Sequence, residues 1–441
     1  MSTQSFPPPT GAPVKTTPAA KPAGAKPDAV AQAATASDPD VADGRFLVPT
    51  ARMLRGSRLI AALACLIAGA VGAWVLTVTS TSLDDINRGT QQLLRLQQIK
   101  GDVLRADGVA THGLAQGTPA SAITDYADAL KEAARLTVEA SQAQPLDQSD
   151  LTSVNAALLN YALTMERART TYPQDNAAGL TYVNDAGSVL SKDAVPALDK
   201  LITANSNRVD AARASDRLWA AGLALVPVLL LLGISIWVAR RTRRVVNIGL
   251  VVALAASIVL WRLVDSNLVT SAAVVDSARA GSLQTATAAA TAYSGLAEAK
   301  SIEGRMLLQP STVNTLEPSW TAAMTDVKGA VEKLGAQSSS VSGLVNTYSA
   351  AHTALADLLK QNKVTEARQS AANTTTGVNP THKTASDALS KVFSDAKVAT
   401  ASDMSHQQDG LRVATILAVL LGLLGALASW VGLGQRLREY R

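Results

Sequence analysis

The side chains of this chain most ready for chemistry are cations. Arg240, Arg241, Arg243 and Arg244 crowd one short stretch, Lys100 and Arg105 recur in kind as Lys300 and Arg305, and Arg167 and Arg169 stand close together. Guanidinium and ammonium groups bind carboxylates or phosphates through charge-assisted hydrogen bonds. An anionic amino acid or a partner's carboxylates would suit Lys100, Arg105, Lys300 and Arg305, and a solvated helix face is the ordinary alternative for each. The arginine run suits anionic lipid headgroups or a docked cytosolic protein. Catalytic constellations are missing: the sequence has no G-x-x-x-x-G-K-[ST], G-x-S-x-G or H-E-x-x-H, and no Cys/His pair to serve as nucleophile and base. Asp125, Asp128 and Glu132 beside Lys131 and Arg135 read as a solvated face with helical ion pairs. His112, His352, His382 and His406 are scattered and expected at exposed or helix-end positions, and the lone Cys65 offers neither a disulfide nor a zinc set. The chain reads as non-enzymatic, with no metal and no cofactor.

These cations need elements to position them, and composition says which. Only 17% of the 441 residues are charged, while 47% are hydrophobic and the pI is basic. A soluble chain carries roughly 25% charged residues, so the surplus apolar surface calls for lipid rather than one large core, and nucleic-acid binding is not the reading of a net charge of +5. Four stretches are long and apolar enough to cross a bilayer: 59–79, 218–238, 245–264 and 413–433. Trp74, Trp219, Trp237, Trp261 and Trp430 fall near their ends, as interfacial aromatics do. Basic clusters orient them. Arg45, Arg52, Arg55 and Arg58 precede the first span, the arginine run fills the loop 239–244, and Arg436, Arg438 and Arg441 follow the fourth. All three clusters belong on the cytoplasmic side of the plasma membrane, with both termini inside. The first span reads as an uncleaved anchor behind a Pro/Ala-rich disordered tail, 1–58, and the C-terminal tail is 434–441.

Two large extracytoplasmic segments remain, 80–217 and 265–412. Rich in Ala, Leu, Gln, Lys and Glu and without period-two alternation, both are expected to be wholly helical. Ile86, Leu93, Leu96 and Val103 share one face of a helix leaving the membrane. Breaks at Gly117-Thr118-Pro119, Gln144-Pro145 and Tyr172-Pro173, and again near Gln309-Pro310, Gly335, Gln361-Asn362 and Gly377 to Pro380, give two four-helix bundles. The fold class is all-α: an integral membrane protein with a tandem span-bundle-span repeat. Trp74-Val75-Leu76 against Trp261-Arg262-Leu263, and Ala197-Leu198-Asp199-Lys200 against Ala388-Leu389-Ser390-Lys391, echo that doubling. Small residues repeat every four positions at Ala64, Ala68 and Gly72, at Gly422 and Ala426, and at Gly425 and Ser429. They permit close packing within the chain or across a homodimer. Pro227 interrupts only the second span, and no span carries the mid-depth charge expected of a transport path. Partitioned along this topology, residues 80–217 carry 13 basic and 17 acidic side chains and residues 265–411 carry 11 and 13, so the excess of positive charge lies inside.

Four spans, two helical outer domains, a Pro/Ala-rich tail and almost no cytosolic mass make a layout that resembles the actinobacterial GlnX-type membrane protein. The resemblance covers the whole chain in architecture and rests on no short motif, so it assigns no binding residue. It implies a relay from an extracytoplasmic solute-binding lipoprotein of the aspartate/glutamate class to the cytoplasmic Ser/Thr protein kinase G, which adjusts central carbon and nitrogen metabolism. The residues alone imply the same kind of device without its ligand: outer bundles receive a partner or small molecule, and the spans pass a displacement to arginine-rich ends. A structural scaffold of an envelope complex and an accessory transporter subunit are the alternative readings.

Overall fold

A computed structural model describes residues 47–212, 217–242 and 247–439. Among the described residues every regular element is helical. The chain divides into an N-terminal unit, 1–52, and a compact unit, 53–441, and the packing described below is that of the second. Helix α1 runs from Leu47 to Ala115, so the helix begins inside the stretch assigned to the tail. Gly117 and Thr118, both at positive φ, then turn the chain sharply ahead of Pro119. Helices α2 (Ala120–Ala143) and α3 (Gln148–Thr171) follow, separated at Gln144-Pro145.

Helix α4 (Asn176–Val189) starts on an Asp175 cap that accepts from the Ala178 amide at 3.0 Å, and it continues through a π turn, Leu190–Ala194, into α5 (Val195–Ala212). Pro196 explains that turn, since it has no N–H for the carbonyl four residues back and its ring would clash there in a regular helix. After α6 (Arg217–Thr242), helix α7 (Ile248–Ala278) passes through a second π turn, Arg279–Leu283, into α8 (Gln284–Leu308). Helices α9 (Val313–Val331), α10 (Ser338–Lys360), α11 (Val364–Ala372) and α12 (Val378–Glu439) complete the chain. Both halves place shorter helices between longer helical stretches.

Three helical stretches are long and apolar enough to cross a membrane, Gly56–Ala115, Ile248–Leu308 and Val378–Gln435, and α6 holds a shorter apolar stretch, Leu225–Trp237. Leu63 and Ile67 on α1, Leu229 and Leu232 on α6, Val252 and Val259 on α7, and Leu420 and Leu427 on α12 turn outward. An apolar belt of that kind is consistent with a membrane protein. Inside it the helices pack through small residues. A Cβ added to Gly69 would come within 2.8 Å of the Gly422 Cα, so side chains on both are excluded and α1 meets α12 backbone to backbone. Ala64 and Ala68 are buried in the same contacts.

The polar head differs from the expected pair of separate bundles. A single hydrophobic cluster runs through both halves, from Leu94 and Tyr161 in the first to Leu296, Tyr348 and Leu389 in the second. Small residues make the fusion. A Cβ on Gly108 of α1 would meet the Ala297 carbonyl oxygen of α8 at 3.1 Å, and one on Gly101 would meet the Tyr293 ring at 2.7 Å. Helices α1 and α8 therefore lie against each other along the middle of the head.

Candidate functional site

Close approach of α1 and α8 brings charged side chains into a sealed interior, where each must find a partner. Asp107 of α1 accepts from Arg305 Nη2 at 2.7 Å, from the Ser301 hydroxyl, and from the Tyr161 hydroxyl of α3 at 3.2 Å. Glu303 of α8, fully buried, accepts from Lys300 Nζ at 2.7 Å, from His112 Nε2 of α1 at 2.9 Å and from His352 Nδ1 of α10 at 2.9 Å. Each half thus contributes one buried carboxylate, and each carboxylate is held partly by the other half.

The surroundings fix protonation. Gln116 Nε2 donates to His112 Nδ1 at 2.7 Å and to the Ala371 carbonyl at 3.1 Å, which leaves His112 Nε2 to carry the proton toward Glu303. Burial, reinforced by the Lys300 charge, pushes His112 down to about 4. Burial works to raise Glu303, but the Lys300 charge and the two histidine donors outweigh it and hold the carboxyl well below its usual range. His352 is further fixed by Trp320, whose ring stacks on it at 3.6 Å and 7°. His382, on α12, sits edge-on to Tyr348 at 5.2 Å, and burial pushes it down to about 3. Among the described residues no group of His, Cys, Asp and Glu has the arrangement to hold a metal ion.

A second polar knot lies toward the apolar segments. Buried Asp147, at the corner between α2 and α3, accepts from Asn205 at 2.7 Å, Arg208 at 2.7 Å and Gln92 at 3.3 Å, tying that corner to α5 and α1. Arg279, in the π turn between α7 and α8, donates to the Val209 carbonyl at 2.6 Å and pairs with Asp210 at 3.1 Å. Gln408 of α12 donates to Asp84 of α1 at 3.3 Å. The halves are therefore linked at several levels from the head to the apolar helices.

Of the cations named from sequence, Lys300 and Arg305 come together in the cluster, and the chain itself supplies their carboxylates. The solvated-face alternative is overturned for Lys300, which is buried. Lys100 stands apart, paired with Asp199 of α5 at 2.7 Å, and Arg105 lies by Tyr293 and Asp102. Arg240 is exposed at the end of α6, while Arg243, Arg244 and the Arg241 side chain lie outside the described residues. Glu132 and Arg135 pair on a half-exposed face, as expected. The histidines require correction: His406 is exposed, but His112 and His352 are buried at the centre of the head. Their partners are 191 and 49 residues away, so no local pattern marks them.

Residues 82–214 match the model of a family described as an actinobacterial sensor domain. The match takes in α1 beyond the apolar belt and α2 to α5, with Asp107, His112, Asp147 and Tyr161. No curated protein and no solved structure matches the chain. The match supports a sensor-type actinobacterial protein with a sensing or signalling role.

Proposed function

We propose that this protein is a non-enzymatic transmembrane signalling relay with four spans, both termini in the cytoplasm and a doubled helical head outside. The head reads extracytoplasmic amino-acid availability through a solute-binding lipoprotein of the aspartate/glutamate class. The signal leaves to a cytoplasmic Ser/Thr protein kinase by way of Arg240, Arg241, Arg243 and Arg244, beside anionic membrane lipid. The observation that carries the reading is continuity. Helix α1 runs unbroken from the apolar belt to Asp107 and His112, and the path from α7 into α8 runs likewise to Lys300 and Glu303. A rigid helix passes a displacement of an angstrom or two along its length, so a partner that shifts α1 against α8 in the head moves the apolar ends as well.

A disulfide probe tests this. Asp84→Cys with Gln408→Cys replaces a contact between α1 and α12 just above the apolar belt. Its cross-linking yield in membranes is expected to change on adding aspartate or glutamate with the lipoprotein. An unchanged yield fits a scaffold and removes the relay; a changed uptake rate with normal phosphorylation of the kinase's substrate fits an accessory transporter subunit. Reporter fusions near residues 150 and 350 are expected to lie outside, and either one inside overturns the topology. Neutralising the four arginines should weaken kinase co-purification while the protein stays in the membrane.

A further inference from the structure

His352 meets a second carboxylate besides Glu303. Its Nδ1 lies 2.9 Å from Glu303 Oε2, and its Nε2 lies 3.5 Å from Oε2 of Glu317 on α9. Both atoms of that second contact are closed off from solvent, and neither has a hydrogen-bond partner. Glu303 already accepts from Lys300 and His112, which hold it ionised, so His352 Nδ1 donates to it. A neutral imidazole would then turn its Nε2 lone pair toward a carboxylate oxygen, two acceptors facing each other in a dry interior. One proton between them removes the conflict.

The groups around the ring say which atom holds that proton. Lys300 and Glu303 come from α8, Glu317 from α9, Tyr348 from α10, His112 from α1 and His382 from α12. Burial holds His112 at about 4 and His382 at about 3, so both are neutral near neutral pH. Burial and the Glu303 charge raise Tyr348 well above the ordinary phenol value, so it too is uncharged. Two carboxylates then stand against Lys300, and one more positive charge balances the set. Trp320 adds a second reason, since its ring lies flat on His352 at 3.6 Å and an indole face attracts a cation.

We infer that His352 is an imidazolium bridging Glu303 and Glu317, and that its Nε2 proton is an extracytoplasmic pH input to the head. Water reaches the bridge at one end. The Glu317 side chain keeps 27% of its surface exposed, whereas those of His352 and Glu303 keep none. The proton therefore enters and leaves by way of Glu317, and the sealed interior stays closed. When rising pH removes it, the two acceptors again face each other, and the part-exposed Glu317 turns out to water and loosens α9 from α10. The change reaches the joint between the halves, because the other oxygen of Glu303 holds His112 of α1. The clasp is thus closed in acid and opens as pH rises. It rests on the outward placement of the head proposed above, and needs neither the lipoprotein nor the kinase.

The test is solid-state NMR of the full-length protein in lipid bilayers, labelled with ¹⁵N-histidine. The chain has only 4 His, so the spectrum stays readable, and His352→Asn identifies the ring in question. At about pH 6.5 both His352 nitrogens are expected to be protonated, while His112 shows one protonated and one bare nitrogen. Glu317→Gln is a near-isosteric change at a part-exposed position, and its amide can donate to a bare Nε2, so the second proton on His352 is expected to be lost. Amide hydrogen exchange in α9 should run about 3- to 10-fold faster in Glu317→Gln than in the wild type at about pH 6.5, the worth of one charge-assisted bond in a partly wet position. The two should converge toward about pH 9, and comparison at equal pH cancels the intrinsic pH dependence of exchange. A bare Nε2 in the wild type, a doubly protonated ring that survives Glu317→Gln, or an α9 difference that ignores pH overturns the inference. The two readings fail separately. An imidazolium with an unchanged Asp84→Cys/Gln408→Cys cross-link keeps the bridge and removes the relay, whereas a lipoprotein-driven change with a bare Nε2 keeps the relay and removes the bridge.

Discussion

Asp107, a buried carboxylate of the first half, takes its hydrogen bonds from Tyr161, Ser301 and Arg305, whereas Glu303, its counterpart in the second half, takes them from His112, His352 and Lys300. The Arg305 side chain keeps 29% of its surface exposed, and that of Lys300 only 7%. One carboxylate thus pairs with a cation that still meets water, and the other with a cation sealed in beside two histidines and a stacked indole. The difference also governs space: the first half keeps a cleft beside its aromatic pair, and the second has packed the corresponding contact with Trp320 and His352. The first half keeps open space beside its carboxylate, and the second is packed closely around its own.

Removing Glu303 should break that contrast most severely. Glu303→Leu leaves Lys300 buried without a counter-charge and orphans the donors of His112 and His352, and breaking a buried pair from one side costs about 3–5 kcal/mol. Denaturant unfolding of the purified protein is expected to show a loss of that order. Adding Lys300→Met removes the stranded charge and should restore much of the stability, which a purely steric defect at position 303 would not allow. Asp107→Asn is the milder counterpart. It weakens the bonds to Arg305 and Ser301, charged hydrogen bonds are worth about 1.5–3 kcal/mol, and the partly exposed Arg305 recovers some of that from water. A loss of about 2 kcal/mol is expected. Equal losses at the two sites would refute the distinction between a sealed and an open pair.

Acid separates the halves as well, because only the Glu303 cluster contains histidine. His112 is held near 4 in the folded protein by burial, against an ordinary value near 6.5. Between those limits the unfolded chain binds a proton that the folded chain refuses, so His112 makes stability fall as pH falls through that window. The depressed Glu303 acts in the same direction at lower pH, below its ordinary carboxylate range. From pH 7 to pH 5 the contribution of His112 is roughly 2 kcal/mol. In His112→Gln the plot of unfolding free energy against pH should lose the slope of about one proton in this range. An unchanged slope would mean that His112 is charged in the fold.

Helix breaks were legible because their chemistry is local. Pro119, Pro145 and Pro310 lack an amide proton, and Gly335 and Gly377 adopt positive φ that other residues avoid. The buried face of Ile86, Leu93, Leu96 and Val103 was legible for the same reason, since its spacing repeats along one helix. The joining of the halves was not. Asp107 meets Ser301 and Arg305 across separations of 194 and 198 residues, and no window of sequence carries that relation. One signal did exist: Gly108 on α1 and Gly304 on α8 leave room for a neighbouring backbone, as Gly69 and Gly422 do in the apolar belt, and Gly101 leaves room for the Tyr293 ring. Close helix pairing in the head is written with the same small residues as in the apolar belt, and the charges then follow, because a buried Lys300 cannot stand without its Glu303.

A last test sharpens the comparison from the open half. Asp102, on α1 five residues before Asp107, is buried and has one carboxyl oxygen, Oδ2, without a hydrogen-bond partner. Burial raises it to about 7, with Arg105 opposing and Glu132 adding to the rise. The sign is opposite to that of His112. A raised carboxyl binds its proton in the fold and not in the unfolded chain, so its contribution is complete below the ordinary value near 4 and is lost as pH rises toward 7. Asp102 therefore offsets part of the rise that His112 and His382 give between about pH 4 and pH 6.5, and the wild-type plot should be shallower there than that of Asp102→Asn. Asp102→Asn keeps the shape and removes the titration, so its stability should rise more steeply with pH across this window. By pH 8 it should exceed that of the wild type by up to about 4 kcal/mol, the free energy of holding the carboxyl at about 7 and not at 3.8. Matching plots for Asp102→Asn and the wild type would place a charged carboxylate at this position and bring the first half closer in character to the second.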